Sequence, residues 1–241
     1  MDHMEQIIAP GLAQLGLAGK VPSQAPALLA EYGRLMLEKN QVMNLTAIRE
    51  EEGVARLHML DSAALLNWGD FQGKTLLDVG TGAGLPGLPL KILVPSLQVK
   101  LLDSLNKRVD WLNQVCAQLE LKDIQAVHAR AEEQGHEKGW RESFDIVTAR
   151  AVAELRLLCE LCLPFVKVGG VFLAMKSVDS REELAQAAGA IRRLGGRTGR
   201  WMDYTIPGTQ ITHRLIPIEK VSPTPAPYPR RWAKIQKEPL S

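Results

Sequence analysis

The apolar positions of this chain keep one period at first and then another. In residues 1–70 they recur at helical spacing: Leu28, Leu29, Tyr32, Leu35 and Met36 share one face, with Ser23 placed to cap the helix. A turn-rich stretch, NQVMNLT at residues 40–46, precedes a second helix. Glu50, Glu51 and Glu52 suit the positive end of its dipole, and its apolar side continues through Val54, Leu57, Leu60 and Leu65. From Thr75 short apolar runs alternate with helical stretches. TLLDV (75–79), QVKLL (98–102), IQAVH (124–128), FDIVTA (144–149) and VFLAM (171–175) predict strands, and residues 106–119, 154–163 and 180–194 predict helices. Residues 200–206 and 213–220 predict an antiparallel hairpin around the loop IPGTQIT. Such alternation specifies an α/β fold, a largely parallel sheet with helices on both faces. The organisation is therefore a helical extension (1–70), a sheet domain (71–221) and a Pro-rich, basic tail (222–241).

The first strand runs directly into Gly80, Gly82, Gly84 and Gly87. Strand, glycine turn and helix form the ligand-cradling corner of an open α/β sheet, beyond the carboxyl ends of the strands. A dinucleotide-binding turn would set a pyrophosphate on the following helix. Here an acid, Asp78, stands two residues before the first glycine. It argues against a bound phosphate and for a donor with cationic groups, such as S-adenosylmethionine. Asp103 ends the next strand, about 20 residues beyond the turn, where an acid meets ribose hydroxyls. It suits either cofactor, so Asp78 decides.

Composition narrows the class. A chain of 241 residues with 46% hydrophobic and 23% charged content buries a full core. No leader is expected from MDHMEQIIAP, and the apolar stretch 155–175 is broken by Arg156, Glu160 and Lys167, so no membrane span is expected. Three cysteines fit a reducing cytoplasm. Cys159 and Cys162 sit mid-helix without further metal ligands nearby and read as core, with no metal site. Net charge is +2 but uneven: residues 1–70 carry five Lys/Arg against nine Asp/Glu, residues 191–241 ten against three. The basic end is a docking surface for a polyanion or a solvated tail. His58, Asp61 and Ser62 share a helical face, a satisfied structural cluster by preference over one turned to substrate.

Residues after the fourth strand bear on the acceptor. They read Thr148-Ala149-Arg150-Ala151-Val152, not the Asn/Asp-Pro-Pro-aromatic of exocyclic amine methylation. Attack on pyrimidine carbon needs a cysteine nucleophile, typically after a proline at this point, whereas Cys159 follows Leu158 within a helix. An acceptor that is already nucleophilic remains, and guanine N7 fits: its in-plane lone pair attacks without losing a proton, so catalysis is positioning.

Five alternating strands with a terminal hairpin resemble the class I S-adenosylmethionine-dependent methyltransferase fold, a Rossmann-like sheet of seven strands. More specifically, LLDVGTGAGLPG, LLDSLNKRVDWL, ARAE, TARAVAEL, VGGVFLAMK, YPRR and the RLHMLDS of Arg56 to Ser62 resemble the bacterial small-subunit rRNA guanine-N7 methyltransferases, the glucose-inhibited division protein B family. The resemblance implies a monomeric cytoplasmic enzyme acting on a guanosine of 16S rRNA near the decoding site, in free rRNA, the 30S subunit or an assembly intermediate. It implies donor contacts at Asp78, Gly80, Gly82, Leu85, Asp103, Ala131, Glu132 and Arg150, with Arg150 over the donor's carboxylate end or between donor and RNA, or else paired with Asp78 or Asp145. RNA would meet Lys176, Arg230, Arg231 and Lys234, and Trp232 would stack on a base or fold back onto the domain. The tail continues RWAKIQKEPLS where the family usually has Gly-x-Pro. The rival readings are a methyltransferase with another acceptor, an NAD-binding oxidoreductase and a catalytically silent RNA-binding module.

Overall fold

Parallel strands form the centre of one mixed sheet in the computed structural model, which describes residues 2–150 and 153–240. Ala151 and Val152 of the TARAVAEL motif lie outside the described residues. The parallel strands are β1 (Thr75–Val79), β2 (Gln98–Asp103), β3 (Ile124–His128), β4 (Phe144–Arg150) and β5 (Val166–Ser177). Then come β6 (Gly196–Thr198), β7 (Met202–Thr205) and β8 (Thr212–Lys220). The order is β3-β2-β1-β4-β5-β8-β6, with β8 antiparallel to β5 and β7 also on the outer side of β8. Among the described residues eight strands thus occupy seven positions. The edge strand expected over 200–206 is the shorter β7, and a further short strand, β6, precedes it on the same side of β8, with Gly199-Arg200-Trp201 between the two.

The central strands read as nearly continuous apolar runs because helices cover both faces. One face packs against α1 (His3–Gln14), α2 (Ala25–Met43) and a helical run made of α3 (Glu51–Val54), a wider π turn (Ala55–Leu60) and α4 (Asp61–Ala63). The same core takes in α5 (Gly87–Leu93) and α6 (Asn106–Gln118), so Met4, Leu29, Met36, Leu60, Leu88 and Leu112 belong to one buried cluster. After the short α7 (Ala131–Gln134), the other face is covered by α8 (Leu155–Cys162), α9 (Arg181–Arg193) and α10 (Trp232–Lys237), which bury Leu158, Cys162, Ile191 and Ile235.

Three boundaries differ from the sequence expectation. Ser23 makes no cap: α2 starts at Ala25 with Gln24 as N-cap and Pro26 in the first turn, where a missing N–H is harmless. The helix also runs through most of the expected turn to Met43 and stops at Asn44, whose φ of 50° suits asparagine. β5 begins at Val166, ahead of VFLAM: Val166 pairs with Phe144 and Val171 with Ile146, and an irregularity that includes Gly169 at φ 90° takes up the extra residues between them.

Candidate donor and acceptor site

β1 delivers the chain into the glycine turn, where Gly80 and Gly82 adopt φ of 67° and 58°, values that disfavour a Cβ. Gly87 is needed for a different reason. A Cβ there would stand 2.5 Å from Leu101 and 2.9 Å from the Asp78 Cβ, so it lets α5 lie against the sheet. The turn's backbone donors are engaged inside the protein. Gly80 and Thr81 donate to the Leu102 carbonyl at 2.9 and 3.0 Å, Gly82 to Asp103 Oδ2 at 2.8 Å, and Gly84 and Leu85 to Thr81. Gly87 donates to Asp78 Oδ2 at 3.1 Å. The N–H groups of Gly80, Thr81, Gly82, Gly84, Leu85 and Gly87, of the kind with which such turns hold a pyrophosphate, are therefore already bonded.

Asp78, expected among the donor contacts, is not among the residues that line the crevice described below. It is fully buried under the turn and accepts from Thr81 Oγ1 at 2.6 Å and Thr148 Oγ1 at 3.0 Å as well as from Gly87. Burial pushes its carboxyl up to about 6 against those three hydrogen bonds. Its work is to latch the turn to β4. Leu85 packs into the core of the first face and is not among the crevice-lining residues.

A crevice of about 190 Å³ lies at the carboxyl ends of β1, β2 and β3. Val79, Leu102 and Leu161 give it apolar walls, Gly80 and Ala131 leave room, and Asp103 and Glu132 supply carboxylates. Asp103 bridges two loops, accepting from Gly82 N–H and, at 2.9 Å, from Leu105 N–H. Glu132 is held by Arg130 at 2.7 Å. Gly80, Asp103, Ala131 and Glu132, distant in sequence, thus line one space, and Gly82 shapes it through its bond to Asp103. Trp232 from the tail lines it too. A larger cleft of about 660 Å³ opens elsewhere, among Trp68, Lys74, Asp145 and Gly169 at the amino ends of the strands, the wrong end for ligand binding in this architecture.

Arg150 ends β4 and turns toward the N-terminal helices. Its Nη1 donates to Asp61 Oδ2 and to the Leu57 carbonyl, both at 3.0 Å, and its Nη2 lies 3.1 Å from His58 Nδ1. The ion-pair partner is Asp61, neither Asp78 nor Asp145. Asp61 is fully buried and also accepts from Tyr204 and His213, each at 2.8 Å, which reach it from the β7–β8 hairpin. Burial opposes its ionisation, but His213 and Arg150 outweigh burial and hold its carboxyl below the usual range. Burial and the Arg150 charge lower His58 to about 4, so its ring is neutral near pH 7. Ser62 donates to the His58 carbonyl at 2.6 Å. The cluster read from helical spacing is a satisfied polar core that fixes Arg150. Its contributions from Tyr204 and His213 have no local sequence signal.

Two expected RNA contacts are occupied by the protein. Lys176 Nζ is bonded to the Ala153 carbonyl at 2.7 Å and to Glu183 at 2.5 Å. Arg230 clamps the buried Glu160 through Nε and Nη2 at 2.8 and 2.7 Å. Arg231 and Lys234 are exposed, and among the described residues neither forms an ion pair. Cys159 and Cys162 are fully buried, and burial pushes both thiols up, so neither supplies a thiolate.

Parallel strands closed by an antiparallel β8, with a crevice beyond β1–β3, define the class I methyltransferase fold. A solved structure from Agrobacterium tumefaciens described as a predicted O-methyltransferase has the same architecture, with a TM-score of 0.51 at 20% identity over 68% of this chain and 81% of that one. Residues 26–200 match the family model GidB, described as rRNA small subunit methyltransferase G. The protein named Ribosomal RNA small subunit methyltransferase G in Alkaliphilus metalliredigens is 44% identical over 237 residues, 98% of each chain. Its namesake in Lachnoclostridium phytofermentans is 50% identical over 210 residues, 87% of each. The chain belongs to this family, and it is a methyltransferase.

Proposed function

We propose that this chain transfers a methyl group from S-adenosylmethionine to N7 of a guanosine in small-subunit rRNA, acting as a monomer in the cytoplasm. The observation that carries the donor assignment is the glycine turn, whose Gly80, Thr81, Gly82, Gly84, Leu85 and Gly87 N–H groups are bonded internally, beside a crevice that presents the carboxylates of Asp103 and Glu132. That chemistry disfavours a pyrophosphate and suits an uncharged adenosine. A carboxylate oxygen accepts more than one hydrogen bond, so Asp103 keeps capacity for a ribose diol, while Val79, Leu102 and Leu161 offer apolar surface to the base.

When bound, the donor supplies a methyl carbon on a sulfonium: the N7 lone pair bonds to it as the C–S electron pair returns to sulfur, and no proton leaves. The residues near β4 match a reaction without a base. Asp61 is held ionised but fully engaged by Arg150, Tyr204 and His213. The cysteines are buried thiols. What the chain contributes is orientation, with Arg150 fixed at the end of β4. Support for an RNA acceptor comes from family membership and from the exposed Arg231, just before α10, and Lys234 and Lys237 on it. Comparing nucleosides of 16S rRNA from cells with and without the protein tests the reading: one 7-methylguanosine should disappear, and an unchanged 7-methylguanosine content contradicts it.

A further inference from the structure

Trp232 is the first residue of α10, and its half-buried side chain packs on the second-face core while lining the crevice beside Ala131, Glu132 and Leu161. Its position is enforced from both sides. Upstream, Arg141 donates to the carbonyls of Tyr228 and Thr224, each at 2.7 Å, and His136 Nε2 lies 2.7 Å from the Pro229 carbonyl. Arg230, next but one before Trp232, grips Glu160, whose neighbour Leu161 is itself a wall of the crevice. Downstream, Ile235 and Leu240 are buried in the same core. Burial of these apolar side chains, with the Arg230–Glu160 pair, seats the short helix.

We propose that Trp232 is a donor-binding residue: the tail lays its indole against the adenine end of the crevice and completes a site that the sheet domain alone leaves open. This rests on the methyl-donor reading above. The indole is then committed to the donor and is not a stacking platform for RNA. An aromatic face against a purine contributes as base stacking does, and its loss weakens binding about tenfold.

Calorimetry on the full chain tests this with two probes, S-adenosylhomocysteine and 5′-methylthioadenosine, which share the adenosine but differ in the amino-acid end. Trp232→Ala should weaken both by the same factor, about tenfold, and Trp232→Phe should restore most of the loss. Wild-type binding of S-adenosylhomocysteine that Trp232→Ala leaves within about twofold overturns the Trp232 assignment alone. Failure of the wild-type chain to bind S-adenosylhomocysteine overturns the donor reading itself and this proposal with it. Hydrogen exchange on the wild-type chain is independent of whether the variant folds. S-adenosylhomocysteine should slow exchange of the α10 amides, and unchanged rates with the probe bound overturn the proposal.

Discussion

Arg150 and Asp61 meet at 3.0 Å although 89 residues separate them in sequence, and the pair ties the end of β4 to the N-terminal helices. Asp61 is fully buried, and Arg150 retains 18% of its side-chain exposure. Removing one partner of a buried pair leaves a charge without compensation. Asp61→Asn should therefore cost about 3 kcal/mol, the low end for such pairs because Arg150 keeps some water. A thermal melt reads the loss, and a variant as stable as the wild type would show that the pair does not hold these elements together.

Two buried groups give opposite pH dependences. His58 is lowered to about 4 from 6.5, so the unfolded chain binds the extra proton and this residue makes stability rise as pH increases from 4 to 6.5. Asp78 is raised to about 6 from 3.8, so the folded chain holds the proton and stability falls as pH increases from 3.8 to 6. The two slopes offset each other over most of one window. Denaturant midpoints measured from pH 4 to 6.5 should rise with pH in Asp78→Asn and fall in His58→Asn relative to the wild type. Parallel profiles for all three proteins would contradict the assignment.

Asp103 shapes the turn and borders the crevice. Hydrogen bonds to a charged group contribute about 1.5–3 kcal/mol, so Asp103→Ala should weaken S-adenosylmethionine by about tenfold or more. Binding to rRNA should persist. In the same calorimetric series NAD should give no heat with the wild type; tight binding of NAD alone would favour the oxidoreductase reading.

The tail cations divide into two groups. Arg231, Lys234 and Lys237 are exposed, and neutralising one phosphate each gives a log–log salt slope of about −2 for single-stranded RNA. Changing all three to Ala should flatten that slope. Arg230→Ala should instead lower the melting temperature, since it strands the buried Glu160. An unchanged slope in the triple variant would place the RNA elsewhere on the surface.

Local pattern was enough for the first four strands and for bringing Gly80 and Asp103 to one crevice, because an open parallel sheet brings the ends of its strands together; Ala131 and Glu132 were legible only through the family resemblance. Local pattern was not enough for Asp78. The side chains of β1 alternate between faces, and only the packed helices reveal that Asp78 shares the face of Leu76 while Val79 borders the crevice. Arg230 and Lys176 looked free because the Glu160 and Glu183 that bind them are specified by how the tail and α9 pack, not by spacing. The same holds for Tyr204 and His213, which complete the Asp61 cluster from the far edge of the sheet.

The most direct test uses the purified chain, S-adenosylmethionine labelled in its methyl group, and small-subunit particles from cells lacking the protein. After complete digestion of the rRNA, all transferred label should run as 7-methylguanosine, with no label released to water. Label in any other nucleoside, or none in RNA despite donor binding, would contradict guanine N7 as the acceptor.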